Sequence, residues 1–226
     1  HCTTLFKITK TLFTCKKVCN VFFILDRFIY DAPLRRGLIE RGKYMDKYEN
    51  SALIVIDCQK DFINNLDKDM NAYEAVGNIA RVLKFFRQMK IPIIHFRELH
   101  RPQLVDFGRE LDGDEGIHCI EGSDGADFVN DDVRPAEGEY FIPKRRYSCF
   151  FATDLDLLLR SLKVERLYIV GFLTDVCVHY TCVDAHQRDY YIKVIKEAVR
   201  GSGWKAHNAS LDAINYLQNS AVISMD

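Results

Sequence analysis

The sequence predicts a three-layer α/β/α fold built on a six-stranded, doubly wound parallel sheet. Short continuous apolar runs recur along the chain, of the kind that suits strands covered on both faces. Segments with apolar residues at helical spacing alternate with these runs, as in successive βαβ units. Polar residues able to do chemistry stand directly after several of the runs, where open α/β sheets place their sites.

Ala52-Leu53-Ile54-Val55-Ile56 is the first predicted strand, and it ends in Asp57. Ala75, Ile79, Val82, Leu83 and Phe86 then mark a helix ending near Lys90, with Asp69 or Asn71 placed to cap it. Ile91 to Phe96 is the second strand, its proline tolerated near the start. A long loop from about Arg97 to Gly138 follows; loops of this length without regular structure are often functional. Glu139 to Pro143 is the third strand, with Lys144 just after it, and Asp154 to Leu162 a helix. Leu167 to Val170 is the fourth strand, and the turn Gly171-Phe172-Leu173-Thr174-Asp175-Val176-Cys177 leads from it into a helix reaching about Arg188. Tyr190–Ile195, a helix over His207–Gln218 and a short strand Ala221–Ser224 complete the alternation.

Composition narrows the function classes. A chain of 226 residues with 48% hydrophobic and 28% charged residues is ordinary for one globular domain with a sizeable core. The net charge of −1 offers no field for nucleic acid or an anionic membrane. No apolar run approaches the roughly 18 residues of a membrane span. The eight cysteines form neither paired zinc knuckles nor a disulfide framework, which predicts a cytoplasmic protein with free thiols.

Residues 1–44 differ from the rest. They carry nine Lys and Arg against three acids, a net of +6 that leaves −7 for residues 45–226. Met45 reads as a natural start, with residues 1–44 an extension outside the domain at 45–226. A targeting presequence is the competing reading, since the segment is basic and acid-poor, although Val21–Leu25 is short for a signal-peptide core.

Asp57, Lys144 and Cys177 fall at three strand ends and complement one another. Cys177, at the mouth of a strand-to-helix turn, faces unpaired N–H groups and the positive end of a helix dipole, both of which favour a thiolate. An aspartate can take the thiol proton, and a lysine can hold both anions.

Three phrases resemble the isochorismatase-like cysteine hydrolases: Ile56-Asp57-Cys58-Gln59-Lys60-Asp61-Phe62, Pro143-Lys144-Arg145-Arg146-Tyr147-Ser148-Cys149-Phe150, and Gly171-Phe172-Leu173-Thr174-Asp175-Val176-Cys177-Val178. His118-Cys119-Ile120-Glu121-Gly122-Ser123-Asp124-Gly125-Ala126 is similar to a further family segment. The resemblance covers about residues 51–226. It implies a catalytic triad of Asp57, Lys144 and Cys177, a small-molecule amide substrate, no cofactor and a homo-oligomer, dimer or tetramer. It also implies a cis Phe172–Leu173 bond that aims the backbone N–H groups of Leu173 and Cys177 at an oxyanion. Members include nicotinamidases, N-carbamoylsarcosine amidohydrolases, ureidoacrylate and biuret hydrolases, and isochorismatases that cleave a vinyl ether. Isochorismatases proper in several cases lack the cysteine, so Cys177 points to amide hydrolysis through a thioester.

Nicotinamidases hold a metal on an Asp-x-His pair and a further His. Here Glu98-Leu99-His100 stands in that place, with Leu104 near the position of the further His and Asp106 a conceivable third ligand. This departure predicts no metal and favours linear ureido or carbamoyl substrates. The residues expected to contact substrate are Gln59, Phe62, Glu98, His100, Arg101 and Tyr147, with Gln59 and Asp61 also suited to bracing the strand end. Arg145 and Arg146 are candidates for a substrate carboxylate. Asp175 is expected to cap its helix and Cys182 to be buried. The competing functions are a nicotinamidase-like amidase, a vinyl ether hydrolase, and a catalytically silent binding or assembly module.

Overall fold

The computed structural model describes residues 48–113 and 115–225. The expectation for residues 1–44 lies outside them. Within the described residues the strands are β1 (Ser51–Ile56), β2 (Ile93–Glu98), β3 (Tyr140–Lys144), β4 (Arg166–Phe172), β5 (Tyr191–Arg200) and β6 (Val222–Ile223). The helices are α1 (Lys60–Asn65), α2 (Ala72–Met89), α3 (Leu155–Ser161), α4 (His179–His186) and α5 (Trp204–Leu217).

All pairings are parallel, in the order β3-β2-β1-β4-β5-β6. The chain runs outward from β1 to β3, then returns to place β4 on the other side of β1. The strand order therefore reverses between β1 and β4, and a crevice opens there at the carboxyl ends. Leu53 to Ile56 of β1 and Leu167, Ile169 and Val170 of β4 are fully buried, as expected for strands covered on both faces. Ala75, Ile79, Val82, Leu83 and Phe86 form the buried stripe of α2, and the Phe86 ring meets Tyr168 of β4 at 5.2 Å. Burying each such large apolar side chain contributes about 1.5–3 kcal/mol.

Several boundaries differ from expectation. The short helix α1 begins at Lys60, just after Asp57-Cys58-Gln59. Asn71 occupies the start of α2 but adopts a left-handed backbone and makes no side-chain cap, while Asp69 lies in the preceding turn Lys68–Met70. Strand β5 runs five residues past Ile195, beyond an irregularity in its pairing with β4. Helix α5 starts at Trp204 rather than His207. The long loop contains two short helical turns, Glu110–Asp112 and Asp131–Val133.

Among the described residues no helix is long and apolar enough to cross a membrane. Cys58, Cys119, Cys149, Cys177 and Cys182 are free and buried.

Candidate active site

Gly171 pairs with Ile56 across the β1–β4 boundary. Its φ of +124° is one that side chains rarely adopt, and a Cβ there would lie 2.0 Å from the Ile56 carbonyl oxygen. Only glycine lets β4 hug β1 at this point. The Phe172–Leu173 peptide is cis. A wide π-helical turn over Thr174–Val178 follows before α4 begins. Cys177 thus sits inside a widened turn, not on the first turn of an α-helix as its sequence context suggests.

The structure brings Asp57, Lys144 and Cys177 together. Lys144 Nζ lies 2.8 Å from Asp57 Oδ2 and donates to Cys177 Sγ at 3.3 Å. All three residues are sealed from solvent, Cys177 at 2% exposure. Asp57 Oδ1 accepts the Glu98 N–H at 2.9 Å, while Oδ2 has no aligned hydrogen bond.

Glu98 completes the group. Its Oε2 accepts from Lys144 Nζ and lies 3.6 Å from Cys177 Sγ. Its Oε1 faces His100 Nε2 at 3.2 Å and His118 Nε2 at 3.1 Å. The Lys144 ammonium therefore donates to Glu98 and to the sulfur, and faces the Asp57 carboxylate as an ion pair. Asp57 and Lys144 mark the ends of β1 and β3, and β2 lies between those strands. The residue at the end of β2 must then stand between them. This inference was available from the strand order but not from residue types.

The electrostatics follow from burial and pairing. Burial pushes Asp57 up to about 6, with Lys144 opposing and Glu98 assisting. Burial likewise pushes the Cys177 thiol well up, only partly offset by Lys144. Desolvation thus works against the thiolate that the helix start was expected to stabilise, and outweighs the nearby ammonium. Burial would lower Lys144, but Asp57, Cys177 and Glu98 hold it well above its usual value. Burial would raise Glu98, but Lys144, His100 and His118 hold it well below.

Of the residues expected to contact substrate, three are sealed in the protein. Gln59 is fully buried; its Nε2 donates to the carbonyls of Glu98 at 2.8 Å and Ala126 at 2.9 Å, and its Oε1 accepts the Glu98 N–H at 2.8 Å. This amide locks the end of β2 to the long loop. His100 is buried and stacked on Phe107, with ring centroids 3.8 Å apart. Glu98 is committed to the lysine and the histidines. Arg101 instead faces outward, half-exposed, with Nη1 2.8 Å from Asp106 Oδ2. Only Phe62 and Tyr147 are half-buried with surface to spare; Phe62 lies against the His118 ring at 5.5 Å, and Tyr147 against Tyr180 at 5.7 Å. Asp61 braces the loop, accepting the Cys119 N–H at 2.7 Å. Asp175 does not cap its helix; it accepts the Ser202 N–H at 2.8 Å and ties the Cys177 turn to the segment before α5.

The isochorismatase domain model matches residues 51–226. The chain belongs to the isochorismatase domain family. A probable inactive nicotinamidase of Arabidopsis thaliana is 32% identical, covering 74% of this chain and 88% of its own length. A ureidoacrylate amidohydrolase of Serratia proteamaculans is 31% identical, covering 69% and 71%. Among solved structures, the N-carbamoylsarcosine amidase of Thermoplasma acidophilum superposes with a TM-score of 0.68 at 29% identity, covering 78% of this chain and 96% of that one. The family is one of hydrolases and includes amidases.

Within this isochorismatase domain, Glu98, His100, Glu110 and His118 each offer a donor atom, all within 4.8 Å of one another. Both Glu110 carboxylate oxygens and His100 Nδ1 are buried without an aligned hydrogen bond, although Glu110 Oε2 lies 3.4 Å from His100 Nε2 as an ion pair. Two imidazoles and two carboxylates suit a zinc-like divalent ion, so these residues fit the metal that nicotinamidases carry. The sequence expectation set the metal aside because no histidine follows at the expected spacing. The fold supplies His118 instead, carried in by the long loop, while the conceived third ligand Asp106 lies 3.6 Å from the other ring nitrogen, Nδ1. A proton on His100 also balances these carboxylates: burial opposes it, but Glu110 and Glu98 push its pKa up to about 9.

Proposed function

We propose that this protein is a cysteine-dependent amidohydrolase that cleaves the C–N bond of a small non-peptide amide, of the ureido or carbamoyl type, through a thioester. The observation that carries the reading is Lys144 Nζ, 2.8 Å from the Asp57 carboxylate and 3.3 Å from the Cys177 sulfur. A carboxylate beside a neutral thiol is a general base beside a nucleophile. As Cys177 sulfur attacks the carbonyl carbon, its proton passes to Asp57. Asp57 then gives that proton to the leaving nitrogen as the C–N bond breaks. Water next attacks the thioester and loses a proton to Asp57; the C–S bond breaks, and that proton returns to the sulfur. The backbone N–H groups of Leu173 and Cys177 are assigned to the oxyanion, and Lys144 keeps both anions in place. Glu98, standing between Asp57 and Lys144, pairs with the same ammonium.

The test is ammonia release from biuret, ureidoacrylate-like compounds, N-carbamoyl amino acids and nicotinamide, with Cys177→Ala as control. Activity lost in that variant, together with a thioester adduct on Cys177 seen by mass spectrometry, supports the reading. Equal background from both proteins across the panel refutes it in favour of a silent binding module. Adducts on another cysteine alone reassign the nucleophile.

A nicotinamidase-like amidase is the second reading, favoured by the compact donor set of Glu98, His100, Glu110 and His118. A divalent ion held there would act as a Lewis acid toward a substrate nitrogen or oxygen. Metal analysis of the purified protein separates the two. Stoichiometric zinc, iron or manganese supports the second reading, and a metal-free protein active on ureido compounds removes it.

A further inference from the structure

We propose that Glu115 and Tyr147 make this pocket selective for substrates whose far end is an uncharged hydrogen-bond donor, such as an amide or urea N–H, and exclude substrates ending in a carboxylate. The inference rests on the amidase reading and narrows its substrate class.

Tyr147 follows Lys144 by three residues and packs against the core cluster that includes Cys177. Its hydroxyl donates to Glu115 Oε2 at 3.4 Å. Glu115 is half-buried, and His118, which contacts Glu98 at 3.1 Å, lies in the same loop three residues on. Tyr147, with Phe62 and His118, offers aromatic surface to a ligand, and Glu115 adds an acceptor. Each carboxylate oxygen has room for two hydrogen bonds, and Tyr147 takes one.

The cations that might have received a carboxylate are already engaged. Arg145 donates to the Leu99 carbonyl and to Glu121 Oε1 at 2.5 Å. Arg146 donates to the carbonyls of Asp106 and Arg145. Arg101 is paired with Asp106, and Lys144 with Asp57 and Glu98. An incoming carboxylate would meet Glu115 and Glu98 with no spare partner among these four. Like charges a few Å apart in a poorly solvated site repel strongly, whereas a neutral N–H finds an acceptor. Burial pushes the Glu115 pKa up, opposed by His118 and assisted by the carboxylates of Glu98 and Glu110; His118 is itself committed to Glu98 at 3.1 Å and the Gly116 carbonyl at 2.7 Å.

The test compares two alkylating agents of nearly equal size, iodoacetamide and iodoacetate, on the full chain. Each joins its CH2 carbon to sulfur and expels iodide, so the rate ratio at Cys177 reports pocket charge whether or not the protein turns over an amide. Peptide mass spectrometry assigns the label, and buried Cys182 should stay unlabelled in every folded variant. The ratio of neutral to anionic rates is expected to exceed that of a free thiol by about tenfold or more, to fall by about tenfold in Glu115→Gln, and to persist in Glu115→Asp. A free-thiol ratio, a ratio unchanged in Glu115→Gln, or no labelling of Cys177 by either reagent overturns the proposal. Turnover of N-carbamoylglycinamide over N-carbamoylglycine is the parallel prediction. Silence of both substrates with the labelling ratio intact sinks the amidase reading alone; turnover with a flat ratio sinks the selectivity alone.

Discussion

Asp57 and Cys177 share one environment, and burial raises both pKa values. Above about pH 6 the aspartate is ionised while the sulfur still holds its proton, which is the state a base-assisted attack needs. The pH profile of kcat/KM is therefore expected to rise through a limb near pH 6. Asp57→Asn should abolish that limb and lower kcat/KM by about 10²–10⁴-fold. A limb near pH 4, or one that survives in Asp57→Asn, would assign the base elsewhere. The same shift has a stability consequence. A carboxyl whose folded pKa exceeds its unfolded value binds more protons when folded, so its contribution is present at low pH and is lost as pH rises through about 6. The stability of the wild type relative to Asp57→Asn, read from urea midpoints, should decline between pH 4 and pH 7. A gap that grows with pH would contradict the assignment.

Strand β4 ends where it must touch β1, and the loop opposite must be held still. Gly171→Ala places a Cβ 2.0 Å from the Ile56 carbonyl oxygen on a backbone that disfavours it. A loss of at least about 3 kcal/mol is expected from the urea midpoint, through strain and clash together. A loss below about 1 kcal/mol would mean that the two strands separate easily. The loop carrying His118 and Cys119 is pinned to α1 by Asp61, whose carboxylate takes the Cys119 N–H while its own N–H donates to the Gly125 carbonyl at 2.9 Å. Asp61→Ala strands a partly buried donor, a cost of about 1–3 kcal/mol. Limited proteolysis should then cut faster between residues 113 and 127, and activity should fall with it.

One stabilising cluster lies at the end of the sheet away from the site. At the amino ends of β2 and β3, Glu139 joins Arg87 of α2 at 2.7 Å and His95 of β2 at 2.9 Å. Burial would raise the Glu139 pKa, but Arg87, His95 and the Ala136 N–H hold it well below the carboxylate range. Stability from such a group is present above its unfolded pKa and is lost as pH falls through the folded one. Glu139→Gln is expected to cost about 1–3 kcal/mol at pH 7, discounted for the partial exposure of Arg87. Equilibrium unfolding should show the gap to wild type narrowing below pH 4. Cys177, at the carboxyl ends, should keep its alkylation rate in this variant.

The amino-acid sequence by itself determined the layered α/β architecture, the place of each strand to within a few residues save the far end of β5, and the candidacy of Asp57, Lys144 and Cys177. Apolar periodicity and strand-end position are local signals, and each is written in consecutive residues. Tertiary structure decided what those residues meet. The position of Glu98 between Asp57 and Lys144 follows from β2 lying between β1 and β3. The gathering of Glu98, His100, Glu110 and His118 follows from the path of a loop with no period to read. The protonation of the sulfur turned on desolvation against one ammonium, a balance set by burial. Gln59 and His100 passed from expected substrate contacts to buried braces for the same reason. Side-chain type states what chemistry a residue can do, and only packing states whether water, substrate or another side chain reaches it.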